Sequence, residues 1–217
     1  MERRFVPNEV APVRVERRAD NDDQQVIVGY GAVFYRDGED GTEFQLMSDV
    51  FERILPGAFD RALEERDDAR GLFNHEPSHL LGRVSAGTMR LSVDGTGLRY
   101  EIDVPDTQVG RDVVTSIERG DLSGSSFAFI PQRVSWVEDG DREIRQIEEV
   151  QLFDTGPVTF PAYEATSTGL RSLGSVEDVK QERQAWHESK RLDRVKANAI
   201  GMQKRARLVE LGIDAKA

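Results

Sequence analysis

Residues 97–104, GLRYEIDV, alternate apolar and charged side chains along a single short run. The apolar members are Leu98, Tyr100, Ile102 and Val104, and the residues between them are Arg99, Glu101 and Asp103. A period of two predicts a β-strand with one buried and one exposed face. The preceding Asp94-Gly95 and Gly97 are turn residues, so this strand should form the second arm of a β-hairpin that begins near residue 80.

The segments on either side of this hairpin extend the β character over most of the chain. In residues 24–34, QQVIVGYGAVF, the same period should place Val26, Val28, Tyr30, Ala32 and Phe34 on one face of a strand. Residues 124–136 and 143–163 also look like strands. Helical spacing is confined to a short segment at 55–66 and to residues 108–119, which Gly120 is placed to end. The body of the chain is therefore predicted to be mainly β with flanking helices (α+β), built as a small, closed or partly closed β-barrel.

The two ends of the chain differ from this body. Residues 1–22 are charged and weakly patterned, and we expect a mobile N-terminal arm there, followed by a barrel domain at 23–172. Residues 173–217 form a charged tail, in which 176–210 are predicted to be one long helix. The tail has a narrow apolar seam at Leu192, Val195, Ala199, Met202, Ala206 and Val209. Residues 174–217 carry a net charge of +3, which leaves −14 for the rest of a chain whose total is −11.

Composition excludes several classes of function. The 217 residues include no cysteine, which removes disulfides, iron–sulfur clusters, cysteine zinc sites and a cysteine nucleophile. The net charge of −11 argues against a large nucleic-acid-binding face. No run of residues is apolar enough for a membrane span, and the N-terminus has no apolar signal region. We therefore expect a soluble, cytoplasmic protein that needs no cofactor or metal.

The stretch His75-Glu76-Pro77-Ser78-His79 matches H-E-x-x-H, the zinc signature of many metalloproteases. That chemistry needs both histidines one turn apart on a helix. Pro77 stands in the middle of the pattern, where it would cost a helix about 3 kcal/mol, and strand-like residues lie on both sides. The sequence therefore predicts a loop and no zinc site.

The stretch GDLSGSSFAF contains two candidate serine nucleophiles, Ser125 and Ser126, which follow a glycine at the start of a predicted strand. A serine nucleophile needs an exposed hydroxyl within reach of a base. If Phe127 and Phe129 fill the core, Ser125 shares their face and Ser126 points the other way, which favours Ser126. A serine–histidine pair also needs a group that orients the imidazole. The acidic run at 148–154 offers candidates, with Asp154 at its end.

Several motifs in order resemble the prohead (capsid-maturation) proteases of tailed bacteriophages over about residues 24–170. The motifs are GYGAVF, ILPGAFDRAL, NHEPSHLLGR, GTGLRYEIDVPDT, IERGDLSGSSFAF and VQLFDTGPVTFPAYEAT. The resemblance implies a β-barrel serine protease similar in fold to the herpesvirus assemblins, with a long C-terminal helix added here. It also implies that His75 is the base and Ser126 the nucleophile. Asp154 best matches the third member, and Glu149 is the alternative.

The function implied by this resemblance is a serine endopeptidase of capsid maturation. It would act in the host cytoplasm inside the immature capsid, where it would cleave scaffold and major capsid protein segments and itself. The partners implied are the capsid protein and its scaffold segment, with a possible helical contact through residues 176–210. The competing hypothesis is a non-catalytic assembly module of the same fold.

Overall fold

A computed structural model describes residues 1–18, 21–65, 67–122, 124–160 and 173–210. The chain divides into two compact units, Met1–Ser172 and Leu173–Ala217. The strands of the first unit are β1 Glu2–Pro7, β2 Arg14–Arg18, β3 Asn21–Val33, β4 Glu43–Met47, β5 Val50–Ile54, β6 Arg70–Leu72, β7 Leu80–Arg83, β8 Met89–Val93, β9 Gly97–Asp103, β10 Gly124–Asp139 and β11 Arg142–Val158. The helices are α1 Asp60–Glu64, α2 Gln108–Arg119 and, in the second unit, α3 Leu173–Glu210.

The strands form two sheets. The larger sheet has seven strands, with the order β1-β10-β11-β5-β4 and with β6 and β7 joined to β11. The smaller sheet has the order β2-β3-β9-β8. Backbone pairing among the described strands closes neither sheet into a barrel, so the mainly β, α+β prediction is confirmed but the closed barrel is not.

The predicted hairpin forms as β8 and β9, which pair antiparallel from Met89–Ile102 to Val93–Leu98. Its first arm begins at Met89 rather than near residue 80, because Leu80–Arg83 form β7, which pairs with β6 in the larger sheet. The predicted helices are present as α1 and α2. Thr107 caps the start of α2 by accepting a hydrogen bond from the Gly110 N–H group at 3.1 Å. Gly120 ends this helix with φ of 77°, a left-handed conformation that glycine adopts without steric cost.

Strand β3 departs from the single face that its alternation predicted. The register with β9 shifts between Tyr30 and Ala32, where one extra residue enters the strand. A β-bulge of this kind exchanges the two faces of a strand. Ile27 therefore packs in the cluster with Tyr100, whereas beyond the bulge Ala32 packs in a second cluster with the phenylalanines of β10.

The N-terminal residues are not the mobile arm that was expected. Strand β1 pairs with β10, and β2 pairs with β3. The charged side chains of Glu2 and Arg4 in β1 are buried together with those of Glu52 and Arg145, and the four form a cluster of zero net charge. Arg145 Nη1 lies 2.9 Å from Glu2 and 2.7 Å from Glu52, and Arg4 Nη2 lies 2.7 Å from Glu52. Opposite charges pair with one another here, so a charged segment becomes an edge strand of the larger sheet with one buried face.

The predicted C-terminal helix is present as α3. Three members of its apolar seam have described side chains with large exposed fractions: Leu192 (47%), Val195 (60%) and Met202 (72%). The seam side chains of Ala206 and Val209, together with residues 211–217 of the predicted tail, lie outside the described residues. No helix in the described part of the chain has the length and apolar character needed to cross a membrane.

Candidate active site

Strand β10 presents its two serines on opposite faces, as the parity of the sequence predicted. Phe127 and Phe129 stack in the core with ring centroids 4.7 Å apart. Ser125 shares their face, and its Oγ atom lies 2.8 Å from the Tyr100 hydroxyl. Burial raises the pKa of Tyr100, so this phenol stays protonated and hydrogen-bonded. Ser126 faces the other side of the sheet.

Strand β11 brings Asp154 to the Ser126 face through a β-bulge. Ala128 pairs with Asp154, whereas the neighbouring Phe129 pairs with Leu152, so that Phe153 is the extra residue. Leu152 belongs to the core cluster. Without the bulge, Asp154 would share that buried face. With it, the carboxylate lies opposite Ala128, on the same face as Ser126.

Strand β6 positions the loop that carries His75 next to Asp154. It runs parallel to β11 and pairs with it at Asp154 and Thr155. A Cβ atom on Gly156 would lie 2.2 Å from the Leu72 carbonyl oxygen, so only glycine permits this close approach. The loop that follows, residues 73–79, is not helical. The loop predicted for H-E-x-x-H is therefore confirmed.

His75 connects the other two side chains. Its Nδ1 atom is hydrogen-bonded to Asp154 Oδ1, and its Nε2 atom lies 2.7 Å from Ser126 Oγ. Ser126 is 1% exposed and Asp154 6% exposed, so both polar groups interact out of bulk water, and the Ser126 hydroxyl lacks the exposure that was expected of a nucleophile from the sequence. An ionised Asp154 favours the tautomer with hydrogen on Nδ1. The Nε2 atom is then an acceptor, which is the arrangement in which an imidazole can remove a hydroxyl proton.

The Ser126 hydroxyl has a second acceptor, the main-chain carbonyl of Arg4 in β1, at 2.8 Å. A hydroxyl group carries one proton. The carbonyl of Arg4 and the imidazole of His75 therefore compete for the same hydrogen. Nothing in the sequence indicated that the N-terminal strand would reach Ser126.

The alternative acid lies elsewhere. Glu149 forms ion pairs with Arg61 at 2.7 Å and with Arg133 at 3.0 Å. Of the other loop residues, His79 packs against Phe73 with ring centroids 6.1 Å apart, and its Nδ1 atom is buried without a hydrogen-bond partner in the described part of the chain. Glu76 accepts a hydrogen bond from the Ser78 hydroxyl at 3.1 Å. Across the described residues, no group of three or more acidic or histidine side chains is arranged to hold a metal ion.

Two residues that sequence reasoning missed fix the loop against β11. Asn74 accepts hydrogen bonds from Thr159, one from the backbone N–H and one from the hydroxyl. Asn74 is also in the left-handed region, with φ of 57°. Asparagine tolerates that region better than most residues, and this preference is the one sequence signal that could have found it. Residues 161–163, the end of the strand predicted at 143–163, lie outside the described residues.

Comparisons with known proteins give the family. The family model of the caudovirus prohead serine proteases matches residues 13–182. Among solved structures, the capsid assembly protease gp21 of bacteriophage T4 aligns with 74% of this chain and 100% of its own chain, at 10% sequence identity and a TM-score of 0.42. No curated protein sequence matches the chain. Because the family model spans well over half of its residues, the chain belongs to the caudovirus prohead serine protease family.

Proposed function

We propose that this protein is the endopeptidase of capsid maturation in a tailed phage, with Ser126 as nucleophile, His75 as general base and Asp154 as the residue that orients His75. The observation that carries the proposal is the unbroken hydrogen-bonded series from Asp154 through His75 to Ser126. Three separate elements supply these side chains, namely β11, the loop after β6 and β10. Their convergence supports the proposal, because an acid, an imidazole and a hydroxyl in hydrogen-bonded series are the groups that activate a serine nucleophile.

In this mechanism His75 acts first as a general base and then as a general acid. It accepts the Ser126 hydroxyl proton at Nε2 while Oγ attacks the scissile carbonyl carbon, and it then donates that proton to the leaving amine. Water then attacks the acyl carbon, and His75 takes a proton from that water. His75 returns the proton to Ser126 Oγ as the ester bond breaks and the carboxylic acid product leaves. Asp154 keeps hydrogen on Nδ1 and stabilises the imidazolium that forms.

The carbonyl of Arg4 affects the first step. Attack requires the Ser126 hydroxyl to donate to His75, so any fraction of molecules in which it donates to Arg4 is unreactive. The rate of attack is therefore proportional to the fraction of molecules in which the hydroxyl donates to His75.

The proposed substrates are the major capsid protein and its scaffold segment inside the immature capsid, in the host cytoplasm. Family membership supports this choice. We further propose that the chain cleaves itself, and that α3 forms a helical contact with a scaffold partner through residues 176–210. The exposed apolar side chains of Leu192, Val195 and Met202 support the contact, because an isolated apolar seam on a long helix is typical of helix pairing.

Co-expression with the capsid protein of the same phage tests the proposal. Intact-mass spectrometry of the capsid protein should show defined fragments with the wild-type chain and only full-length protein with Ser126→Ala. Ser135→Ala, on the same strand, is the matched control and should cleave normally. Unchanged cleavage by Ser126→Ala would reject this nucleophile. Normal assembly without any cleavage would favour the non-catalytic assembly module.

A further inference from the structure

The backbone that carries His75 has an unusual conformation. Asn74 and His75 have φ of 57° and 56°, and they are the two non-glycine residues with positive φ in the described part of the chain. This region is disfavoured for residues with a Cβ atom. Two such residues in succession persist only where the surroundings hold them in place.

The hydrogen bonds of Asn74 provide that restraint. Its Oδ1 atom accepts from Thr159 N at 2.9 Å and from Thr159 Oγ1 at 3.1 Å. Its own N–H group donates to the carbonyl of Pro157 at 3.1 Å. The bond to Pro157 ends within β11, the strand that also carries Asp154, and the two bonds from Thr159 come from the residue directly after it. The residue before His75 is thus fixed to the strand that holds the partner of His75.

We propose that Asn74 is a positioning residue for His75. Its side-chain amide holds the left-handed turn in register with β11, so that the imidazole reaches Asp154 with one nitrogen and Ser126 with the other. The inference rests on the proposed function, because Asn74 would affect catalysis only by orienting His75 as the general base.

The rest of the loop does not depend on this side chain. Phe73 N donates to the carbonyl of His79, and His79 N donates to the carbonyl of Glu76, at 3.1 Å and 2.8 Å. These bonds close the loop on itself without Asn74. Loss of the Asn74 amide should therefore change the direction of the His75 ring rather than unfold the loop.

Three replacements separate the two properties of Asn74. Asn74→Asp keeps an acceptor oxygen and tolerance of positive φ. Asn74→Gly keeps only the backbone tolerance, and Asn74→Ala keeps neither. Ser78→Ala is the control, since it removes a side-chain hydrogen bond that stays within the same loop.

The assay is inactivation of the full chain by a fluorophosphonate. In this reaction the Ser126 oxygen bonds to phosphorus, fluoride leaves and His75 takes the proton. The kinetics separate the binding constant from the rate constant of bond formation. With the loss of two hydrogen bonds, we expect Asn74→Ala to lower the rate constant by about 10- to 30-fold and to leave the binding constant within about threefold. Asn74→Gly should fall between, and both Asn74→Asp and Ser78→Ala should stay near the wild type.

The outcomes are distinguishable. An Asn74→Ala rate constant equal to that of the wild type overturns the positioning role and leaves the proposed function intact. A loss that Asn74→Asp does not recover, together with a matching fall in melting temperature, shows a purely structural role and also overturns it. If the wild-type chain shows no labelling that depends on Ser126, the proposed function fails, and this inference fails with it.

Discussion

The replacement Asp154→Asn should nearly abolish proteolysis while leaving the chain folded. In the structure Asp154 accepts a hydrogen bond from His75 Nδ1, which keeps Nε2 free to accept the Ser126 proton. An asparagine amide can donate to Nδ1 instead, and this places the ring hydrogen on Nε2, where it blocks proton removal. In Ser-His-Asp proteases the same replacement costs about 10⁴-fold in kcat, or roughly 5.4 kcal/mol of activation free energy.

The matched comparison is Glu149→Gln, which removes the other candidate acid. Its partners Arg61 and Arg133 have side chains 52% and 61% exposed, and ion pairs to such exposed groups contribute little. We therefore expect its kcat to stay within about threefold of the wild type. The assay is the initial rate of capsid-protein cleavage, with circular dichroism to confirm folding. A greater loss for Glu149→Gln than for Asp154→Asn would refute the assignment of Asp154.

Four further outcomes are expected. Ser125→Ala should keep its activity but lose about 1–3 kcal/mol of unfolding free energy in a denaturant titration, because the buried Tyr100 hydroxyl loses its partner; loss of cleavage would transfer the nucleophile to Ser125. EDTA should leave the cleavage rate unchanged, whereas loss of activity restored by zinc, together with an inactive His79→Ala, would revive the metalloprotease interpretation. Truncation after Leu173 should give a folded protein that cleaves peptides but is not packaged into capsids, as judged by electrophoresis of purified proheads; normal packaging would reject the docking role of α3. Burial opposes ionisation of Glu2, but Arg4 and Arg145 outweigh it and hold the pKa of Glu2 below the ordinary 4.5, so the contribution of Glu2 to stability is present above pH 4.5 and is lost as the pH falls. Glu2→Gln should therefore cost about 3 kcal/mol of unfolding free energy at pH 7. A difference in melting temperature from the wild type that does not shrink in acid would contradict this expectation.

Local patterns predicted most of the elements, because each depends on neighbouring residues. The alternation at 97–104, the turn at Asp94-Gly95 and the glycine that ends α2 all acted as expected. The identity of the serine that faces away from the core followed from the same period of two. These features need no knowledge of distant contacts.

What could not be predicted depends on register and on distant partners. A strict period of two along residues 148–154 would place Asp154 on the same face as Val150 and Leu152, which is the face that packs in the core. Asp154 reaches Ser126 only because Phe153 forms a bulge, which depends on pairing with β10. In the same way, β1 looked like a mobile arm because its charged partners Glu52 and Arg145 are distant in sequence. Pairing between strands, rather than composition, decided both cases.

The most direct test of the central claim is to find which atom reacts with a serine-directed probe. The full chain would be treated with a fluorophosphonate, digested with trypsin and sequenced by tandem mass spectrometry. The account predicts a single adduct on Ser126 that is absent in His75→Ala, because His75 must take the hydroxyl proton. An adduct on Ser125, or an undiminished adduct on Ser126 in His75→Ala, would contradict it.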